Sequence, residues 1–186
     1  MTEDEKLAFR FDCGATWLNL LATKGRTYSA RPVERLATPE RLAEWLDRCE
    51  LSPGEGVVDE DALALAHRLR ETLRALALAT VDGEPPPGEA VAGLTAFLAE
   101  YEDPVRLMGG ERLWRAAPPT AAAALGRVAR QAAEHLTGAE RHALKVCPED
   151  DCRGVFTDAS GRRRWCPSPA CASRGRVRAH RARTAK

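Results

Sequence analysis

Four cysteines near the end of the chain constrain it more than any other feature. Cys147, Cys152, Cys166 and Cys171 form the pattern Cys-x4-Cys-x13-Cys-x4-Cys within "CPEDDCRGVFTDASGRRRWCPSPAC". Each close pair lies on a tight loop that aims two sulfurs at one point, and the residues between the pairs return the chain to it. Four thiolates so arranged suit one Zn²⁺, which forms closed tetrahedral sites with four cysteines. With every ligand a thiolate, no position stays open for water, so the metal is structural. Four unpaired buried thiols are the bland alternative, and two matched pairs argue against it. An iron–sulfur cluster is the other alternative. A redox site wants Cys-x-x-Cys, which the chain lacks. Cys13 and Cys49 stand alone beside apolar residues and read as small buried hydrophobes.

A segment of about 40 residues cannot hold itself together by burial alone, so the metal contributes to its folding. Within it, "GVFTD" (154–158) and "RRRWC" (162–166) read as the two strands of a ribbon hairpin turned by "ASG". Phe156 and Trp165 are its expected apolar core. A helix follows from near Ser168, with Pro169 in its first turn. Gly175 weakens that helix.

Charge divides the chain at the same boundary. Residues 1–146 carry 18 Lys+Arg against 23 Asp+Glu, a net of −5, and residues 147–186 carry 10 against 4, a net of +6. After Ser160 there are eight arginines, one lysine and no acid. Arg162, Arg163 and Arg164 can partly offset the −2 charge of a zinc tetrathiolate centre, but that centre cannot account for all the basic residues. Arg174, Arg178 and Arg181 share one face of the expected helix, and Arg176 and Arg183 share another beside His180. Arginine binds phosphate bidentately and reads guanine in the major groove. A zinc-stabilised hairpin presenting Arg162, Arg163, Arg164, Arg174, Arg176, Arg178, Arg181 and Arg183 therefore reads as a nucleic-acid interface, most simply for duplex DNA. The competing accounts are a basic helix docked on the acidic N-terminal part, and an adaptor that grips an acidic protein partner.

The first 138 residues read as a mostly helical domain, and residues 139–186 as the zinc module. "LAFRF" (7–11) alternates like a short strand, and "GATWLNLLATKGR" (14–26) reads as a short helix ending near Gly25. Thr38 caps a helix with Pro39 at its first position, Glu40 near its positive end, and Leu42, Trp45, Leu46 and Cys49 at helical spacing. Asp59 caps a long helix over 60–81 with Leu63, Ala66, Leu69, Leu73 and Leu76 on one face. A further helix spans 88–101. Residues 104–119 read as a β-hairpin around Gly109-Gly110. Thr120 caps a helix closed by Gly138. The fold class is thus mainly α with short β-hairpins, plus a small four-cysteine zinc-ribbon and helix module.

The C-terminal residues resemble the CGNR zinc-finger family of bacterial proteins over residues 144–183. The family's elements read here as "CPEDDC", "VFTDAS", "RRRWC" and "CASRGRVRAHRAR". Its name-giving Cys-Gly-Asn-Arg is Cys171-Ala172-Ser173-Arg174, so cysteine and arginine are kept while glycine and asparagine are not. The N-terminal part resembles the ABATE domain, which usually precedes this finger and is described as a stress-induced transcription regulator. The family's Leu-Asp-Phe-Val-Asn-Thr box corresponds to "LNLLAT" (18–23), with Leu18 and Thr23 matching outright. "TPERLAEWLDRCEL" matches its Leu…Trp-Leu helix. The resemblance implies a sensor or partner-binding role for this part.

These readings converge on a zinc-containing, DNA-binding transcription regulator whose N-terminal domain senses a small molecule or mediates dimerisation. A homodimer is attractive because one small finger covers only a few base pairs. Asn19 and Thr23, four residues apart, are the candidate ligand contacts, with polar satisfaction inside the core as the rival account. His67, His135 and His142 lack metal or triad spacing, so no enzyme is expected. The acidic start "MTEDEKLAFR" is unlike a secretory signal, and no apolar run spans a bilayer. The expectation is a cytoplasmic, nucleoid-associated protein without membrane contact.

Overall fold

In chain order the elements are α1 (Thr16–Leu21), β1 (Lys24–Gly25), β2 (Val33–Glu34), α2 (Pro39–Arg48), α3 (Glu60–Asp82), α4 (Gly88–Glu100), β3 (Leu107–Met108), β4 (Trp114–Arg115), α5 (Ala121–Thr137), a 3-10 turn (Ala139–Ala143), β5 (Leu144–Val146), β6 (Val155–Thr157) and α6 (Pro169–Thr184). They come from a computed structural model that describes residues 7–158 and 160–184. Residues 1–6 of the expected first domain, Ala159 of the expected "ASG" turn, and residues 185–186 lie outside the described residues.

Helix α3 is the axis of the N-terminal part. Asp59 accepts from Ala62 N at 2.9 Å, and Gly83 ends the helix in the left-handed region at φ 72°. Leu63, Ala66, Leu69, Leu73 and Leu76 are all buried, as their spacing predicts. Burying each leucine contributes about 1.5–3 kcal/mol. Helices α1, α2, α4 and α5 pack around α3. The predicted caps Thr38 and Thr120 accept from Arg41 N and Ala123 N. The expected hairpin over 104–119 forms with Leu107 opposite Arg115 and Met108 opposite Trp114. Among the described residues no helix is long and apolar enough to cross a membrane.

Two N-terminal segments differ from the sequence reading. Residues 8–12 form no ladder. Arginine side chains take their place: Arg35 Nε donates to Ala8 O at 2.9 Å, Arg41 Nη2 donates to Leu7 O at 2.7 Å, and the Arg41 and Arg48 guanidinium groups lie over the rings of Phe9 and Phe11. Helix α1 stops at Leu21, short of Gly25. Its last carbonyls are claimed from the side: Thr23 Oγ1 donates to Leu20 O, Arg74 Nη2 to Leu21 O, and Arg35 Nη1 to Ala22 O. Trp17, Leu18 and Leu20 are fully buried, so this short helix owes its stability to burial on every side.

The strand pair at the cysteines also differs. The segment 162–166 forms no strand, and β6 pairs instead with β5, in the register Leu144↔Thr157, Lys145↔Phe156 and Val146↔Val155. The first cysteine loop is the connection between them. Phe156 is fully buried and, with Val155, belongs to the same core as Trp17, Leu69 and Leu125. Thr157 N donates to Cys13 O at 2.9 Å. Gly14 sits under β6 with φ 104°, and a Cβ there would lie 1.9 Å from Thr157 Oγ1. Arg153 grips both oxygens of Asp82 at the end of α3.

Candidate metal centre and nucleic-acid interface

The first cysteine pair is set by a knuckle after β5. Cys147 N donates to Gly154 O, and both Cys152 N and Arg153 N donate to Glu149 O, which curls the loop around one point. The second pair opens α6: Cys171 N donates to Ser168 O, and Pro169 occupies the first turn. The four sulfurs lie within 4.8 Å of one another, and Cys152 Sγ and Cys166 Sγ are 3.7 Å apart. A tetrahedron with Zn–S bonds of about 2.3 Å has edges of about 3.8 Å, so the donor set fits zinc. Cys147 and Cys171 are buried, and all six cysteines are unbridged.

The electrostatics favour a cation. Hydrogen bonds from Cys152, Cys166 and Cys171 hold the Cys147 thiol below its ordinary pKa, and the hydrogen bond with Cys147 pushes Cys166 up. A divalent ion displaces those shared protons and satisfies all four sulfurs at once. Cys147, Cys152, Cys166 and Cys171 are therefore the ligands of one structural zinc. Cys13 and Cys49 take no part, and burial pushes each thiol up to about 12.

An acidic cradle that the sequence reading missed holds α6 against this centre. Glu149 is 2% exposed, yet its carboxylate accepts from Arg178 at 2.5 and 2.9 Å and from Trp165 Nε1 at 3.3 Å. Asp151 accepts from Arg174 at 2.7 and 2.9 Å, and Arg174 Nη2 also lies 3.7 Å from Cys171 Sγ. Trp165 packs on Gly175, where a Cβ would sit 2.4 Å from the indole. The available signal was charge complementarity between "CPEDDC" and the basic helix.

The eight candidate arginines thus fall into two groups, with Arg163 apart from both. Arg174 and Arg178 are bound to carboxylates of the zinc loop. Arg162, Arg164, Arg176, Arg181 and Arg183 are exposed and form no ion pair among the described residues. Arg164 lies 5.2 Å from the Trp165 ring centroid. Arg163 is exposed but donates to Asp12 O at 3.1 Å. Asp158 accepts from Arg163 N, Ser160 Oγ and Ser160 N, and these bonds hold its carboxyl down at about 2.

Asn19 and Thr23 both lie in the core. Asn19 Oδ1 accepts from Cys13 N at 3.1 Å, and Thr23 Oγ1 accepts from Arg70 Nη1 at 2.9 Å. Arg70, buried in α3, also holds both oxygens of Glu34 at 2.7 and 2.6 Å. His67 and His135 bond to Leu36 O and Trp17 Nε1.

Residues 14–139 match the ABATE family, whose description reads "putative stress-induced transcription regulator". Residues 143–184 match the CGNR zinc finger. No curated protein matches the chain. With the first match alone covering more than half of its length, the chain belongs to the ABATE family and carries a C-terminal CGNR zinc finger.

Proposed function

We propose that the protein is a DNA-binding transcription regulator in which zinc builds the DNA-facing surface. One observation carries this reading. Arg162, Arg164, Arg176, Arg181 and Arg183 are exposed on a zinc-anchored loop and helix, without an ion pair among the described residues and with no acid after Asp158. Unpaired arginines on one small module suit a phosphate backbone, which supplies most of the affinity, while one or two of them read base edges. The N-terminal part senses an effector or joins two copies so that two fingers reach neighbouring half-sites. Nothing in this role calls for catalysis, and the zinc, with four thiolate ligands, acts only in structure.

The test is fluorescence anisotropy of labelled duplex DNA with the zinc-loaded full chain. Binding at ~50 mM salt that weakens steeply as salt rises is the expected result. No binding at ~50 mM salt by protein shown to hold zinc contradicts the reading. The same arginines would then serve an acidic protein partner, as in an adaptor.

A further inference from the structure

The segment from Pro104 to Arg115, which carries β3 and β4, is exposed at every residue. Five of the ten large hydrophobic side chains exposed among the described residues lie in it: Val105 (47%), Leu107 (61%), Met108 (49%), Leu113 (69%) and Trp114 (46%). Singly exposed apolar residues need no account, but a cluster of them on one hairpin does. Successive strand residues point to opposite sides, so Leu107 and Met108 leave both faces of the pair open. Among the described residues β3 and β4 pair only with one another, which leaves both outer edges free. The body of the protein shelters one side in part, where Arg112, Leu113, Trp114 and Arg115 overhang a cleft of about 530 Å³ beside α5. An isolated two-stranded hairpin is marginal in water, and a surface packed against it is what makes such a unit stable.

A groove of about 590 Å³ opens at the root of this hairpin. Tyr101 and Ala121, which bracket the hairpin in the chain, both line it. Gly54 N donates to Pro118 O at 2.8 Å, which ties the loop before α3 to the base of the hairpin. Val57, 85% exposed, belongs to that loop and lines the groove. The groove is acidic: Glu55, Asp59 and Asp61 stand against one cation, Arg68, a net of −2. The hairpin has the opposite sign, with Arg106, Arg112 and Arg115 against Glu111, a net of +2. Among the described residues none of these eight side chains forms an ion pair.

We propose that the hairpin of one copy of the chain docks in this groove of a second copy, which docks its own hairpin in return. Because hairpin and groove adjoin, a single two-fold axis beside Tyr101 and Ala121 makes both contacts at once. The apolar side chains of the hairpin then meet Val57, Ala64 and Tyr101, and its arginines meet Glu55 and Asp61. Twelve hairpin residues and thirteen groove residues on each copy match the about 20–30 a side of a stable interface. Duplex DNA is the rival occupant for three arginines, but the acids at their root repel phosphate and the apolar side chains among them gain nothing from it. The proposal rests on the copy-joining role given above to the N-terminal part and names its surface. Its decisive arms contain no DNA, so their failure leaves the DNA reading standing.

The experiment follows the mass of the zinc-loaded full chain by sedimentation velocity over a micromolar dilution series without DNA. A concentration-dependent dimer is the expected result, and a monomer throughout overturns the proposal. Leu113→Ser with Trp114→Ser should weaken the dimer about tenfold or more while zinc content and helix content stay unchanged. Two charge reversals then locate the docked hairpin. Arg112→Glu with Arg115→Glu, and Glu55→Lys with Asp61→Lys, should each be monomeric where the wild type dimerises, because like charges face one another. Mixed in equal amounts, the two should associate again, since the acidic hairpin of one meets the basic groove of the other and the second contact is unaltered. Restored association also shows that both variants are folded. Reversal variants that dimerise alone, or a folded, zinc-loaded mixture that stays monomeric, overturn the proposal. So does a monomeric wild type whose DNA affinity falls on Arg112→Glu with Arg115→Glu, which would make the hairpin a DNA-contacting arm.

Discussion

Gly175 shows how far a single residue's meaning depends on its neighbours. By helix propensity alone, replacing this glycine with alanine inside α6 should stabilise the chain by about 1 kcal/mol. The structure reverses that sign. The Trp165 indole rests on Gly175, and its Nε1 is held by Glu149. Gly175→Ala should therefore cost about 1–3 kcal/mol through overpacking. Thermal melting of the zinc-loaded protein gives the answer, and a rise in melting temperature would mean the indole moves aside freely. Residue-level features that depend only on near neighbours were legible in the sequence: Thr38, Asp59 and Thr120 cap helices because each bonds a backbone N–H three residues on. Glu149 was not legible as the partner of Arg178. The two are 29 positions apart, and an arginine looks the same in sequence whether it faces phosphate or carboxylate.

At the scale of elements, the long periodic helices, the 104–119 hairpin and β6 itself were readable, and the strand that pairs with β6 was not. Helix α3 carries its pattern over six turns, whereas "LKV" at 144–146 is too short to show any period. Its pairing with β6 is fixed by the knuckle between them, a tertiary constraint that zinc enforces. The consequence is energetic. Phe156 and Val155 lie in the main core, Thr157 bonds Cys13, and Arg153 bonds Asp82. Cys166→Ser, or removal of zinc by a chelator, should therefore lower the stability of the helical part too, and circular dichroism at the helix band should show one shared transition shifted to lower temperature. Two separate transitions, with the helical one unmoved, would show that β6 is only a passive strut.

Across the whole molecule, charge is distributed by task. The first 146 residues carry a net −5 and the remaining 40 carry +6, yet the basic side is not one uniform patch. The acids of the first cysteine loop engage Arg174 and Arg178, which lock α6 to the metal centre, and leave Arg162, Arg164, Arg176, Arg181 and Arg183 on the outside. Zinc, cradle and helix together thus turn a basic tail into a shaped surface. The composition pointed to nucleic acid; the division of labour among the arginines became visible only with Glu149 and Asp151 in position.

The salt dependence of duplex DNA affinity, measured for three proteins side by side, tests this division most directly. If the five outer arginines contact phosphate, log affinity should fall with log salt at a slope of about −4 to −5 in the wild type. Arg181→Ala with Arg183→Ala should make the slope shallower by about two, with zinc content and melting unchanged. Arg178→Ala should leave the slope near the wild-type value while lowering the melting temperature, because its partner is Glu149 and not phosphate. A double variant with the wild-type slope, or an Arg178→Ala protein that melts normally and loses about one unit of slope, would contradict the account.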